Sequence, residues 1–171
     1  MFKNFSLFLI FFISIFSFLF TTSTKVQNEY FLKPINSNFI SSYFGYRTLN
    51  GKLNFHDGID YPALENTVIY ATKSGIVTNA SFLSGYGNTV TILHEDNTKS
   101  LYAHLSEEFL VYPGQSVSQG EIIGKVGPKY LANGKLNGFT TGPHLHFTIF
   151  NSNNKQIDPL SLNLKEKKEV N

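Results

Sequence analysis

Five histidines are the side chains best suited to chemistry near neutral pH, and their spacing sorts them. In "TTGPHLHF", residues 140–147, His144 and His146 are two apart. On an extended strand both project from one face, while Leu145 and Phe147 project from the other into a core. Two adjacent imidazoles serve as two metal ligands, or as one ligand and one acid–base group, although H-x-H alone is also a common surface-strand feature. In "NFHDGIDYP", His56 and Asp60 are four apart, a separation that shares a face in a helix or a strand. Gly58 and Pro62 favour loop and strand over helix. Asp60 adds a hard anionic oxygen; the plainer reading is a local turn with Asp57-Gly58 as its turn residues. Together the two fragments supply His, Asp and His, enough for a catalytic zinc site in which three protein ligands leave a fourth position for water. The chain has no cysteine, so any metal here uses nitrogen and oxygen ligands, and disulfides, thiolate zinc sites and a cysteine nucleophile are excluded.

The other two histidines flank a hairpin. "NTVTILHEDNTKSLYAHL" turns around Asp96 and Asn97, and counting outward pairs Ile92 with Leu101 and Thr91 with Tyr102. Strand alternation then puts His104 and Tyr102 on one face and His94 on the other. His94, next to the turn, reads as structural, a partner for the hairpin backbone. Tyr102 is placed to donate a hydrogen bond to His104, or to pack.

These residues need a scaffold, and the rest of the sequence describes one. "VIYATKSGIVTNASF", "NTVTILHE", "KSLYAHL" and "HLHFTIF" are short runs of β-branched and aromatic residues separated by Gly, Asn, Asp and Pro. No segment of the body carries a sustained apolar stripe of helical period. The expected fold is all-β, a compact antiparallel β-sheet or sandwich. At 171 residues the chain builds one core rather than two. A net charge of +2, with no basic stretch interleaved with aromatics, argues against nucleic acid as a partner. At the amino terminus Lys3 precedes an apolar run from Phe5 to Phe20, followed by "TTSTK". Residues 1–20 are therefore read as a secretory signal peptide or an uncleaved membrane anchor, because the run is short for a span and no A-x-A-like cleavage site follows it. Residues 21–35 are a short polar stalk, 36–160 the folded domain and 161–171 a charged tail. The expected location is extracytoplasmic: secreted, in the cell wall or on the outer face of the membrane.

In order and spacing, "YFGYR", "HDGIDY", "SGIV", "GYGNTVTILH", "LYAHL", "VYPGQSVSQGEIIG" and "TTGPHLHF" resemble the lysostaphin-type, or LytM-like, zinc metallopeptidases, which cut peptide bonds in bacterial cell-wall peptidoglycan. The resemblance covers about residues 36 to 150. It implies that His56, Asp60 and His146 bind Zn(2+), and that His104 and His144 act as catalytic histidines. It also implies the family's fold, a compact antiparallel β-structure of the duplicated-hybrid-motif type with an active-site groove, and peptidoglycan peptides as substrate; a monomer is expected. No H-E-x-x-H glutamate is present, so acid–base work falls to other groups. His144, beside a ligand on one strand face, is preferred over His104 as general base.

Two other function classes compete with an endopeptidase. A non-catalytic peptidoglycan-binding module or activator of another hydrolase is the first alternative, but all five positions are filled here. A sugar-phosphotransferase-type carrier is the second, and the apolar amino terminus counts against that cytoplasmic role. Among the remaining motifs, Arg47 is read as tethering the loop before His56. Gly85 and Gly87 in "SGYGN" make a turn rather than a phosphate cradle, since no helix follows. "VYPGQSVSQGEIIGKVG" is scaffold. "GPKYLANGKLNGFTTG" is longer than the usual link before H-x-H and, where it borders the groove, shapes substrate choice.

Overall fold

The computed structural model describes residues 30–49 and 51–167. The apolar run of residues 1–20 and most of the expected stalk lie outside the described residues. Among the described residues, eleven strands account for the regular structure: β1 (Gly45–Leu49), β2 (Lys52–His56), β3 (Ile59–Pro62), β4 (Val68–Tyr70), β5 (Gly75–Leu83), β6 (Gly87–Leu93), β7 (Lys99–Ala103), β8 (Ser116–Val117), β9 (Ile122–Lys125), β10 (His144–Phe150) and β11 (Gln156–Ile157). One 3₁₀ turn follows at Pro159–Leu162, and no other helix occurs among the described residues. The expected all-β antiparallel fold is observed.

The main sheet runs in the order β11-β10-β7-β6-β5-β8, with β3 also paired to β10; β1–β2 and β4–β9 form two separate ribbons. All of these pairs are antiparallel. β10 holds the assembly together. Its first half lies between β3 and β7, so His146 has Asp60 as its cross-strand neighbour on one side and Ala103 on the other. Alternation along "HLHFTIF" divides it cleanly: Leu145, Phe147 and Ile149 are fully buried in the core with Ile59, Tyr61, Val90, Ile92 and Tyr102. His144, His146 and Thr148 take the opposite face.

The packed unit reaches beyond residues 36–160 on both sides. Phe31, Leu32 and Ile35 are buried, and Leu162 and Leu164 pack on the same core. The two ends are joined by backbone hydrogen bonds from Lys33 N to Lys165 O (2.8 Å) and from Lys165 N to Phe31 O (2.9 Å). Apolar residues in "YFLKPI" carry this strap, with the polar run "TTSTKVQNE" before it giving the whole stretch the look of a stalk.

The β6–β7 hairpin differs from the expected register by one residue. Ile92 pairs with Ser100 and Thr91 with Leu101, because His94 N bonds Thr98 O (2.9 Å) across a three-residue loop in which Asn97 adopts φ 62°. Asn tolerates this left-handed position, which a three-residue hairpin requires and a two-residue loop would not supply in this form. The shift moves His94 to the face of Tyr102. His94 is structural as expected: its Nδ1 faces Ser74 O at 2.9 Å, its Nε2 faces Ser100 Oγ at 3.0 Å, and Phe31 meets its ring edge-on. Burial lowers its pKa. Tyr102 is not a partner of His104. It lies in the core against Phe147, and its hydroxyl accepts the Thr72 N–H at 2.8 Å.

Tyr102→Phe keeps the ring but orphans the buried Thr72 N–H. Urea unfolding is expected to show a loss of about 1–3 kcal/mol.

Candidate metal centre and active site

His56 ends β2 and Asp60 lies within β3, joined by a turn through Asp57 and Gly58 that passes directly over β10. A Cβ at Gly58 would collide with the carbonyl oxygen of Phe147 and would lie 2.7 Å from Thr148 Oγ1 and 2.9 Å from His146 Cε1. Only glycine lets the turn approach this closely, and the approach brings His56 over the β3–β10 pair. Asp60 is fixed on its other side as well, since its N–H donates to Ser42 O (2.9 Å) and its carbonyl accepts from Ser41 N (3.0 Å).

The result is a triangle of donor atoms. His56 Nε2 lies 3.1 Å from Asp60 Oδ1 and 3.0 Å from His146 Nδ1, and His146 Nδ1 lies 2.9 Å from Asp60 Oδ1. All three residues are buried. Zinc bonds of about 2.0–2.1 Å place tetrahedral donor atoms about 3.3 Å apart, so this donor set fits one zinc ion in both size and chemistry. Burial pushes the Asp60 carboxyl upward, but hydrogen bonds to His146 and His56 and the neighbouring imidazoles outweigh it and hold the group well below the usual carboxylate range. At His146, burial opposes protonation while hydrogen bonds and charge from Asp57 and Asp60 favour it more strongly, so its pKa is raised. Both shifts mark a spot that attracts a cation.

The outer nitrogens are tied down. His56 Nδ1 donates to Tyr43 O at 2.9 Å. His146 Nε2 lies 2.9 Å from Thr148 Oγ1 and 3.2 Å from Asp57 Oδ1. Such partners set the tautomer and ring orientation of a metal-binding histidine. Arg47 donates from Nη1 to the Ser42 hydroxyl and lies 3.4 Å from Asp60 Oδ2, so it braces Asp60 itself as well as the segment before His56.

His104 and His144 sit beside the triangle, their rings 4.6 Å apart. His104 is reached by a break in strand alternation: at φ 58° it turns out of β7, away from the core face of Tyr102. Its N–H donates to Tyr86 O (3.0 Å) and its Nδ1 to Asn137 O (2.6 Å). His144 Nδ1 donates to Gly142 O at 2.8 Å, and its Nε2 lies 3.7 Å from Asp60 Oδ1. With Nδ1–H committed to a carbonyl in each ring, Nε2 carries the lone pair. Burial lowers both pKa values, that of His104 to about 3 with help from the charge of His144. Burial thus favours the neutral form of both rings.

Sequence reasoning thus named five residues that the fold brings together. It missed Asn137, read as part of a loop, which is fully buried. Its amide accepts from Asn88 N (2.9 Å) and donates to Leu105 O (2.9 Å) while its carbonyl holds His104. It also missed Tyr86 and Gln156, both of which donate to Asp57 Oδ2. These partners are far apart in the chain and follow no period, so only the adjacent glycines hinted at close packing.

An open groove of about 660 Å³ runs past the cluster. Leu49 and Phe55 contribute to it from the β1–β2 ribbon, Gly85 and Tyr86 from the β5–β6 turn, and Phe139 from the long segment before β10. That segment therefore borders the groove, with the Phe139 side chain almost fully exposed.

Three donors sized for one metal ion, with two imidazole edges beside them in a groove, are the equipment of a metallohydrolase. The chain belongs to peptidase family M23, whose model matches residues 54–159. It is 38% identical over 135 residues to the DD-carboxypeptidase/endopeptidase Mpg of Neisseria meningitidis serogroup B, covering 78% of this chain and 29% of that protein. The chain thus spans less than a third of the length of this curated relative. Among solved structures, the catalytic domain of the antimicrobial peptidase lysostaphin from Staphylococcus simulans matches with a TM-score of 0.61 at 30% identity, covering 72% of this chain and 90% of that one. A zinc-containing peptidase from Vibrio cholerae matches with a TM-score of 0.65 at 27% identity, covering 83% and 41%.

Gly58→Ala forces the turn away from β10 and displaces the His146 ring. The expected outcome is a loss of about 1–3 kcal/mol in thermal unfolding together with reduced zinc content by atomic absorption.

Proposed function

We propose that this chain is an exported zinc metalloendopeptidase that hydrolyses peptide bonds in the stem or cross-bridge peptides of bacterial peptidoglycan. The observation that carries this reading is the placement of two imidazole rings, each with Nδ1 held by a backbone carbonyl, beside a buried His–Asp–His triangle. His56 Nε2, Asp60 Oδ1 and His146 Nδ1 are the proposed zinc ligands. When bound, zinc supplies Lewis acidity that lowers the pKa of a coordinated water to about 7 and polarises a carbonyl.

The chain's own residues do the proton work. His144 Nε2, at the edge of the triangle and 3.7 Å from Asp60 Oδ1, takes the proton of the attacking water, and the nearby carboxylate stabilises the imidazolium that forms. His104 stabilises negative charge developing on the substrate and, with His144, returns a proton to the leaving amine. Backbone carbonyls on the Nδ1 side keep both rings aimed without further reorganisation.

The groove accepts an extended peptide, with Phe55 and Phe139 offering apolar contacts; Phe139, on the long segment before β10, shapes substrate choice. The names of the Neisseria relative, a DD-carboxypeptidase/endopeptidase, and of a Vibrio cholerae relative, the peptidoglycan DD-endopeptidase ShyC, support a peptidoglycan peptide as substrate. Action on peptidoglycan places the domain outside the cytoplasm, with residues 1–20 as signal peptide or membrane anchor, and one copy contains every group the reaction needs.

Asp60→Ala is expected to lose zinc and activity together. His144→Ala is expected to keep zinc while hydrolysis falls about 10²- to 10⁴-fold. Zinc content and mass spectrometry of fragments released from purified peptidoglycan check both; full activity in His144→Ala contradicts the assignment of the base.

A further inference from the structure

The turn Ser84-Gly85-Tyr86 between β5 and β6 takes no part in the reaction described above, yet it touches the site twice. We propose that Tyr86 and Asp57 are positioning residues for the metal site: Tyr86 and Gln156 hold the Asp57 carboxylate so that it fixes the His146 imidazole with its Nδ1 lone pair facing His56 and Asp60. The inference rests on the reading of those three residues as metal ligands.

The contacts divide the carboxylate by oxygen. Oδ2 accepts the Tyr86 hydroxyl hydrogen and a Gln156 Nε2 hydrogen (2.8 Å), while Oδ1 is left to face His146 Nε2 at 3.2 Å. Three segments distant in sequence, the β2–β3 turn, the β5–β6 turn and β11, therefore meet at one side chain.

The second neighbour of Nε2, the Thr148 hydroxyl at 2.9 Å, cannot fix the ring alone, because a hydroxyl donates as readily as it accepts. An ionised carboxylate only accepts. Asp57 thus favours a ring proton on Nε2, so that Nδ1 is the nitrogen whose proton a metal ion displaces. The Tyr86 ring also lies 5.6 Å from the His146 ring, and the Tyr86 carbonyl accepts the His104 N–H at 3.0 Å. One turn therefore sets a proposed ligand through its side chain and a proposed proton carrier through its backbone. Gly87, at φ 71°, allows this, since a Cβ there would strike Asn137.

The test uses the full chain with zinc as the probe. Affinity is read by competition with a chromophoric chelator, and the His146 nitrogen that keeps its proton in the zinc-loaded protein by ¹H–¹⁵N correlation spectra. Asp57→Ala is expected to weaken zinc binding about 10- to 100-fold. Asp57→Asn, whose amide both donates and accepts, is expected to fall between native and Asp57→Ala, with mixed His146 tautomers. Tyr86→Phe, which keeps the ring packing, shifts affinity and tautomer in the same direction by less. A role confined to packing would lower the unfolding midpoint of the zinc-free variants and leave affinity and tautomer unchanged. Zinc binding within about twofold of native in both Asp57→Ala and Tyr86→Phe overturns the proposal, and Tyr86→Phe alone decides it if Asp57→Ala fails to fold. Failure of the native chain to take up zinc overturns the ligand reading itself and this inference with it.

Discussion

The antiparallel pairing of β3 with β10 sets Asp60 beside His146, and the rest of the site depends on that register. Side chains alternate, so a slip of one residue would bring Tyr61 or Ile59 alongside His146 and turn the carboxylate into the core. The register is protected by what lies on the other face. Ile59 and Tyr61 from β3 pack with Leu145 and Phe147 from β10 in the fully buried core. The same alternation that buries these four sets Asp60, His144 and His146 on a single opposite face. Apolar burial thus fixes polar geometry, with no direct interaction between the two.

Around that pair, four histidines are separated into two kinds by their hydrogen-bonded nitrogens. His56, His104 and His144 each commit Nδ1 to a backbone carbonyl, of Tyr43, Asn137 and Gly142 respectively, and present Nε2. His146 does the reverse, presenting Nδ1 with Nε2 turned toward Asp57 and Thr148. Backbone carbonyls are rigid acceptors, so these rings are held without ordering additional long side chains. Distance from the carboxylate then distinguishes roles: the donor atoms of His56 and His146 are within hydrogen-bonding range of Asp60 Oδ1, while His144 Nε2 stands back at 3.7 Å.

The parts legible in the sequence were those governed by local period. H-x-H on one strand face, with Leu145 and Phe147 inward, follows from alternation alone, and the all-β class follows from the spacing of short β-branched runs. The companionship of His56 and Asp60 with His146 required the combination of motifs, because no single fragment encodes the β3–β10 pairing. Where a backbone departs from period, reading failed. The three-residue loop at Glu95–Asn97 shifted the β6–β7 register, and the left-handed conformation of His104 moved it off the face it would share with Tyr102. Long-range polar partners such as Asn137, Tyr86 and Gln156 left no periodic trace. The strap from Phe31 to Ile35 is too short to show a period, and the partners that bury it, Lys165 and His94 among them, lie far along the chain.

The central claim is that one zinc ion is held by His56, Asp60 and His146, with His104 and His144 uncoordinated. An anomalous difference map collected at the zinc absorption edge from crystals of the zinc-loaded protein tests it most directly. One strong peak is expected at about 2.0–2.2 Å from His56 Nε2, His146 Nδ1 and an Asp60 carboxylate oxygen, with no bond to the other two rings. A peak bonded to His104 or His144, or to His146 through Nε2, would contradict it.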